Sequence, residues 1–220
     1  MKLSDILIHV PFSYMWTLKT IAGNPKTVLD IGCGEGDIMQ IISEKKWKVT
    51  GIDIYADSLK AAKQKGVYTE LIKGDLIKVC EKLIKEKKKY DLVFCSQVIE
   101  HITKKDGNRL LELADKLAKK RIYFGTPLGF MHQPHEFIKG NPHQHHKSGW
   151  ELEEFTKRGY KVNGVGFKPI WSESGLGRTE NPLWRFILTA VGYLVSPFVY
   201  FVPTTAAGIL AVKDIKHEKK

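Results

Sequence analysis

VLDIGCGEGD, Val28 to Asp37, decides the fold. The run Val28-Leu29-Asp30-Ile31 reads as a short buried strand. Three glycines follow at alternate positions, Gly32, Gly34 and Gly36, and the segment Asp37–Ile42 then suits a helix. Glycine at these places lets the backbone turn tightly and lets a ligand approach it closely. Strand, glycine turn and helix together predict a doubly wound sheet with a nucleotide-like ligand at the end of its first strand. The dinucleotide fingerprint fails, because its third glycine would stand where Asp37 is. A phosphate loop fails as well, since no Gly-Lys-Ser/Thr follows. Acids before and within the turn (Asp30, Glu35, Asp37) suit a cationic or zwitterionic ligand.

The stretch resembles the first motif of the class I S-adenosylmethionine-dependent methyltransferases, V-L-D-x-G-C-G-x-G, and carries it without a gap. The resemblance implies a Rossmann-like α/β sheet of seven strands, mostly parallel with a closing antiparallel hairpin and helices on both faces. It implies S-adenosyl-L-methionine as cofactor and S-adenosyl-L-homocysteine as product, held at the turn by Asp30, Gly32, Cys33, Gly34 and Gly36. Downstream, Lys48–Ile54 reads as the second strand, and Asp53 near its end can accept both hydroxyls of a ribose. Ile54 and Tyr55 would flank the adenine. In the resembled family an acid after the third strand (Tyr68–Ile72) binds the adenine amino group, and Asp75, followed by Leu76, stands there. The same Asp75 also suits the N-cap of a helix over 76–88.

The fourth strand, Tyr90–Cys95, exits into Ser96-Gln97-Val98-Ile99-Glu100-His101-Ile102. V-I-E-H-I resembles the fourth motif of small-molecule methyltransferases, among them the ubiquinone-biosynthesis O-methyltransferase group. Gln97 and Val98 would line the cofactor's methionine and sulfonium. Glu100 and His101 have two readings, catalysis or hydrogen bonding to the following turn. A helix over 105–117 leads to a fifth strand, Arg121–Pro127, and then to a loop holding five of the eight histidines: His132, His135, His143, His145 and His146. Their spacings match no zinc signature, so no metal is expected. Asn141, Pro142, His146, Ser148 and Trp150 resemble a pattern that related methyltransferases carry before the next helix. His146 and His101 are the candidate bases, and Ser148 with Glu151 reads as a capping box.

The length of 220 residues suits one domain with an insertion. Residues 26–167 and 206–213 read as the methyltransferase domain, with a lid at 1–25 and a basic tail at 214–220. Cys33, Cys80 and Cys95 form no Cys-x-x-Cys, which points to a reducing, cytoplasmic setting. The N-terminus lacks a signal-peptide cleavage site and reads as mature protein. A net charge of +11 favours an acidic partner, although lysine runs on solvated helix faces also explain it.

Between the sixth strand (Tyr160–Phe167) and the seventh (Ala207–Val212) lies an insertion, 168–205, which is long for a strand connection. Residues 183–202 within it read LWRFILTAVGYLVSPFVYFV. The last strand must rejoin the sheet, so a single crossing of a bilayer is excluded by topology. An in-plane or re-entrant hairpin broken near Pro197 on an anionic membrane surface is the membrane reading, and a buried cover or homodimer face is the other. The expected reaction is methyl transfer to a small-molecule or lipid-like acceptor. A nucleic-acid methyltransferase is disfavoured: the fourth strand ends in Cys-Ser-Gln rather than Asn/Asp-Pro-Pro-Tyr/Phe, and no Pro-Cys nucleophile is present. A non-catalytic cofactor-binding module is opposed by the acids at all three cofactor positions, and a dehydrogenase by the glycine spacing.

Overall fold

The computed structural model describes residues 7–132 and 141–215. The start of the expected lid, the candidate His135 and the end of the basic tail lie outside the described residues.

Seven strands form one sheet in the order β3-β2-β1-β4-β5-β7-β6. They are β1 (Thr27–Ile31), β2 (Lys48–Asp53), β3 (Glu70–Lys73), β4 (Tyr90–Ser96), β5 (Ala118–Pro127), β6 (Lys161–Phe167) and β7 (Ala206–Asp214). Strands β1 to β5 pair in parallel, while β7 runs antiparallel to both β5 and β6. This is the expected mostly parallel sheet with a closing antiparallel hairpin.

Alternation along each central strand feeds two cores, because successive side chains point to opposite faces. On one face Leu29, Ile31, Val93 and Cys95 pack with Leu110, Leu111, Ala114 and Leu117 of α5 (Lys104–Leu117) and with Val79, Cys80 and Leu83 of α4 (Leu76–Lys85). On the other, Val28, Leu92 and Phe94 meet Leu18 and Ile21 of α1 (Tyr14–Ala22) and Met39 and Ile42 of α2 (Asp37–Ile42). The continuous apolar runs of β1 and β4 are therefore buried on both sides, as parallel strands are.

Helix α3 (Ala56–Gln64) begins with Tyr55 at its cap and no side-chain bond. One helix start differs from the sequence expectation. Helix α6 (Leu152–Thr156) has its capping box between Glu151 and Glu154. Ser148 is unavailable for it, because its hydroxyl donates to the Ile99 carbonyl and accepts the Trp150 indole N–H. By contrast, the Asp75 carboxylate does accept the Lys78 N–H and caps α4.

The insertion folds into α7 (Lys168–Trp171), α8 (Pro182–Leu194) and α9 (Ser196–Phe201), with single 3-10 turns at Leu176–Arg178 and Pro203–Thr205. The apolar run breaks at Val195, which closes α8 and opens α9, with Pro197 in the first turn of α9, where a missing N–H is tolerated. Among the described residues no helix is long and apolar enough to cross a membrane.

Candidate functional site

The carboxyl ends of the parallel strands open onto a cavity of about 650 Å³. Gly32, Gly34, Asp53, Ile54, Asp75, Leu76, Gln97 and His101 all line it. The cavity continues past Thr103 and Asp106 to Asn141, His143, Gln144 and Lys147. One end therefore carries most of the expected cofactor residues, and the other carries part of the histidine-rich segment after the fifth strand.

The glycine turn is shaped by hydrogen bonds to its neighbours. The N–H groups of Gly32 and Cys33 both donate to the Ile52 carbonyl, at 2.8 and 2.9 Å. Gly34 adopts φ 52°, and its N–H donates to Asp53 Oδ2 at 2.8 Å. Asp53 Oδ1 accepts the Tyr55 N–H at 2.8 Å. Two backbone donors thus fix the carboxylate, and an ionised carboxylate keeps further lone pairs free for other donors. A Cβ at Gly34 would meet nothing within 4 Å, so its empty side faces open space. At Gly32, φ is 70° and a Cβ would lie 2.4 Å from a Val98 methyl. Gln97 also holds a positive φ of 57°, and its N–H donates to the Gly125 carbonyl at 2.7 Å. A non-glycine residue in that region at a strand end is a feature of functional sites.

Three of the expected cofactor residues lie behind the turn rather than on the cavity wall. Asp30 is buried and accepts the Tyr68 hydroxyl at 2.7 Å. Burial raises its pKa to about 7, with the nearby Asp53 charge acting in the same direction against the Tyr68 bond. Cys33 is buried, and desolvation raises its thiol far above the ordinary range. Gly36 backs onto the Tyr68 ring, which a Cβ would meet at 2.6 Å. The geometry gives these residues the work of holding the turn.

The exit of β4 holds the second cluster. Ile99–His101 form a 3-10 turn, Glu100 is buried, and its Oε2 accepts the Thr126 hydroxyl at 3.1 Å. Among the described residues, Glu100 Oε1 and His101 Nδ1 are buried without hydrogen-bond partners. Desolvation raises the Glu100 pKa to about 7. Burial lowers that of His101 to about 4, helped by His146 and opposed by the backbone at His145 and Gln144. His146 meets His101 edge-on with ring centroids 4.8 Å apart, and its Nδ1 lies 2.6 Å from the Met131 carbonyl. The segment carrying His146 is tied down because the N–H groups of Lys147 and Ser148 both donate to the Glu100 carbonyl. One ligand atom from each of Glu100, His101 and His146 lies within 4.8 Å of the others, a set able to hold a metal ion. The structure thus brings Glu100 together with both candidate histidines. The spacing of 45 residues between His101 and His146 gives no local signal.

The cavity and the turn can be set beside known proteins. Residues 28–121, from β1 into β5, match the family model described as a methyltransferase domain. The sequence is similar to the ubiquinone biosynthesis O-methyltransferase of Hydrogenovibrio crunogenus, with 31% identity over 46% of this chain and 42% of that protein. It is similar to the enzyme of the same name from Bordetella avium, with 29% identity over 53% and 49% of the two chains. The chain thus spans about half the length of these relatives. The fold is shared with a SAM-dependent methyltransferase from Archaeoglobus fulgidus at TM-score 0.58, with 18% identity over 97% of this chain and all of that one. It is shared too with the plantazolicin methyltransferase BamL, solved with SAH and a triazolic analogue, at TM-score 0.53, with 19% identity over 98% and 86% of the chains. The glycine turn, Asp53 and the β4 exit lie inside the matched span, whereas His146 and the insertion lie beyond it.

Proposed function

We propose that the chain transfers a methyl group from S-adenosyl-L-methionine to a small-molecule or lipid-like acceptor. The observation that carries this reading is the Asp53 carboxylate, locked by the Gly34 and Tyr55 N–H groups at the rim of a cavity floored by open glycine backbone. A cradle of this form fits an adenosyl group, with Asp53 accepting the ribose hydroxyls, Asp75 and Leu76 beside the adenine, and Gln97 near the methionine end. The bound cofactor supplies an already activated methyl group, so the protein's task is chiefly orientation and exclusion of water.

The chain's own proton acceptor is His101. It lines the cavity and is neutral at pH 7, because burial disfavours its charged form. His146 stands behind it. If its Nδ1–H donates to the Met131 carbonyl, its Nε2 is left as an acceptor and its ring orients His101. Thr103, Asp106, Asn141 and Lys147 give the acceptor end a polar wall. A test is calorimetry with the cofactor, followed by transfer of labelled methyl into lipid, aqueous and RNA fractions of a cell extract. Absence of cofactor binding overturns the proposal, and label confined to RNA overturns the acceptor class.

A second reading attaches to the same cluster. Glu100 Oε1 and His101 Nδ1, without partners among the described residues and with His146 close by, suit a divalent cation, since buried lone pairs without donors are otherwise unfavourable. Metal analysis of the purified protein and thermal shifts with Zn²⁺, Mn²⁺ and Mg²⁺ test it. No bound metal and no shift leave His101 as a simple base.

A further inference from the structure

We infer that α8 and α9 seat the protein on the surface of a lipid bilayer, with α8 lying in the plane of the interface. Helix α8 is amphipathic in the inverted sense. At 3.6 residues per turn, Leu183, Trp184, Phe186, Ile187, Val191 and Leu194 fall within an arc of roughly 160°. Each of them is exposed, Phe186 to 73% and Leu194 to 80%. Gly192 is the buried position of α8 and falls on the opposite side, where a Cβ would stand 3.0 Å from the Trp171 indole nitrogen. The helix hangs from the body by its small residue and presents its large apolar ones outward. Phe198 and Phe201 of α9 are exposed as well, at 55% and 67%.

The area is far beyond that of scattered surface residues. Trp184, Phe186, Phe198 and Phe201 alone expose roughly 400–600 Å², taking a usual aromatic area of 150–250 Å² each. The largest apolar patch of a typical monomer is about that size, before Leu183 and Leu194 are added.

Charge selects the occupant. From Asn181 to Val212 the sole charged side chain is Arg185, in the first turn of α8. Lys168 and Arg178 flank it on the elements that hold α8, with Glu173 and Glu180 as the nearby acids in the chain. The Glu173 carboxylate, itself exposed, accepts the His132 N–H at 3.0 Å. A surface without acids across its apolar part, on a chain of net charge +11, complements anionic headgroups over an acyl layer. Trp184 and Tyr193 supply the aromatic side chains with polar tips favoured at that boundary.

The site faces the same way. Phe167 pairs with Ala206 at the sheet edge where Pro127 pairs with Gly208, so the insertion leaves from the carboxyl edge that bears the cavity. Phe12 packs on the rings of Tyr200 and Phe201, while Tyr14 in the next turn bonds Ser96 at the end of β4.

The experiment is flotation of the full chain on phosphatidylcholine vesicles doped with phosphatidylglycerol, with no cofactor or acceptor present, so that its outcome is separate from that of the methyl-transfer assay. Wild type is expected to float, less so at high salt. The double variant Phe186→Asp with Leu194→Asp is expected to lose about tenfold or more in partitioning while keeping its circular dichroism and cofactor affinity. Leu183→Ser with Trp184→Ser serves as a milder pair should the first fail to fold. Wild type that stays at the bottom overturns the inference. If that protein also runs as a dimer that either pair dissociates, the face belongs to a second copy. Float by both pairs at the wild-type level overturns the assignment to α8.

Discussion

Replacing Gly32 and Gly34 separately by alanine should give two different failures. At Gly32 the new methyl would sit 2.4 and 2.7 Å from the two Val98 methyls and 3.1 Å from its Cβ, at φ 70°. Left-handed backbone costs a non-glycine residue about 1–2 kcal/mol, and overpacking a buried site adds about 1–3 kcal/mol. Val98 is buried, so it has little room to retreat. Gly32→Ala should therefore lose about 2–5 kcal/mol of stability, which in a chain of this size is a fall in Tm of about 5–15 °C. At Gly34 a Cβ has open space and φ is 52°, so Gly34→Ala should lose only about 1–2 kcal/mol. Its methyl would project into the cavity beside Asp53, and cofactor affinity should fall by tenfold or more, about 1.4 kcal/mol per tenfold. Scanning calorimetry of the cofactor-free proteins and titration calorimetry of both variants separate the two effects. A Gly34→Ala protein that binds the cofactor like wild type refutes the placement of that cavity end. A Gly32→Ala protein that melts like wild type refutes the packing argument.

Asp53→Ala should weaken cofactor binding by about 2–3 kcal/mol, the scale of charge-assisted hydrogen bonds, and unchanged affinity in titration calorimetry would remove Asp53 from the site. His146→Ala should slow turnover while cofactor affinity stays near wild type; full turnover in a folded variant would make the residue structural. Asp30 gives a pH signature. Its folded pKa of about 7 lies above its ordinary 3.8, so from pH 4 to 7 the unfolded chain has released a proton that the folded chain keeps. Stability contributed by this group is full below pH 4 and declines as pH rises through 7, by about 1.4 kcal/mol per pH unit and on the order of 4 kcal/mol in all. Asp30→Asn, which keeps an acceptor for Tyr68, should flatten that decline in urea unfolding, and parallel slopes for the two proteins would contradict the buried-acid account.

Local signals carried the reading of the fold. Gly32, Gly34 and Gly36 after Val28–Ile31 placed β1 and α2 to the residue at their shared side, because glycine turns and buried strands are written in adjacent positions. Asp53 and Asp75 could be placed because each ends or follows a strand of the same sheet edge. Ser148 went wrong for the opposite reason. A capping box is a local pattern, yet the hydroxyl is engaged by Ile99 and Trp150 across the fold. The same limit hid the meeting of Glu100 and His101 with His146 and the retreat of Asp30 onto Tyr68. Those contacts depend on how β3 and the segment before α6 return to the β1–β4 seam, which no short window contains. The apolar run at 183–202 was visible, but its division at Val195 and the outward turn of its large side chains came only with packing against Trp171.

The rung that joins Phe167 to Ala206 closes the insertion at its base. The two residues are partners in one antiparallel ladder, so a loop of two to five residues would bridge them. Helix α9 is rooted there: Val199 is buried, and the Tyr200 carbonyl accepts the Asn163 amide. Helix α8 has no such root in the sheet and forms the outer half of a detachable module. Lineages could exchange that outer half, lengthen it or strip it of aromatics without altering a single register in the sheet. A chimera carrying a foreign α8 on this base would be expected to keep the sheet and the cavity at its carboxyl edge unchanged.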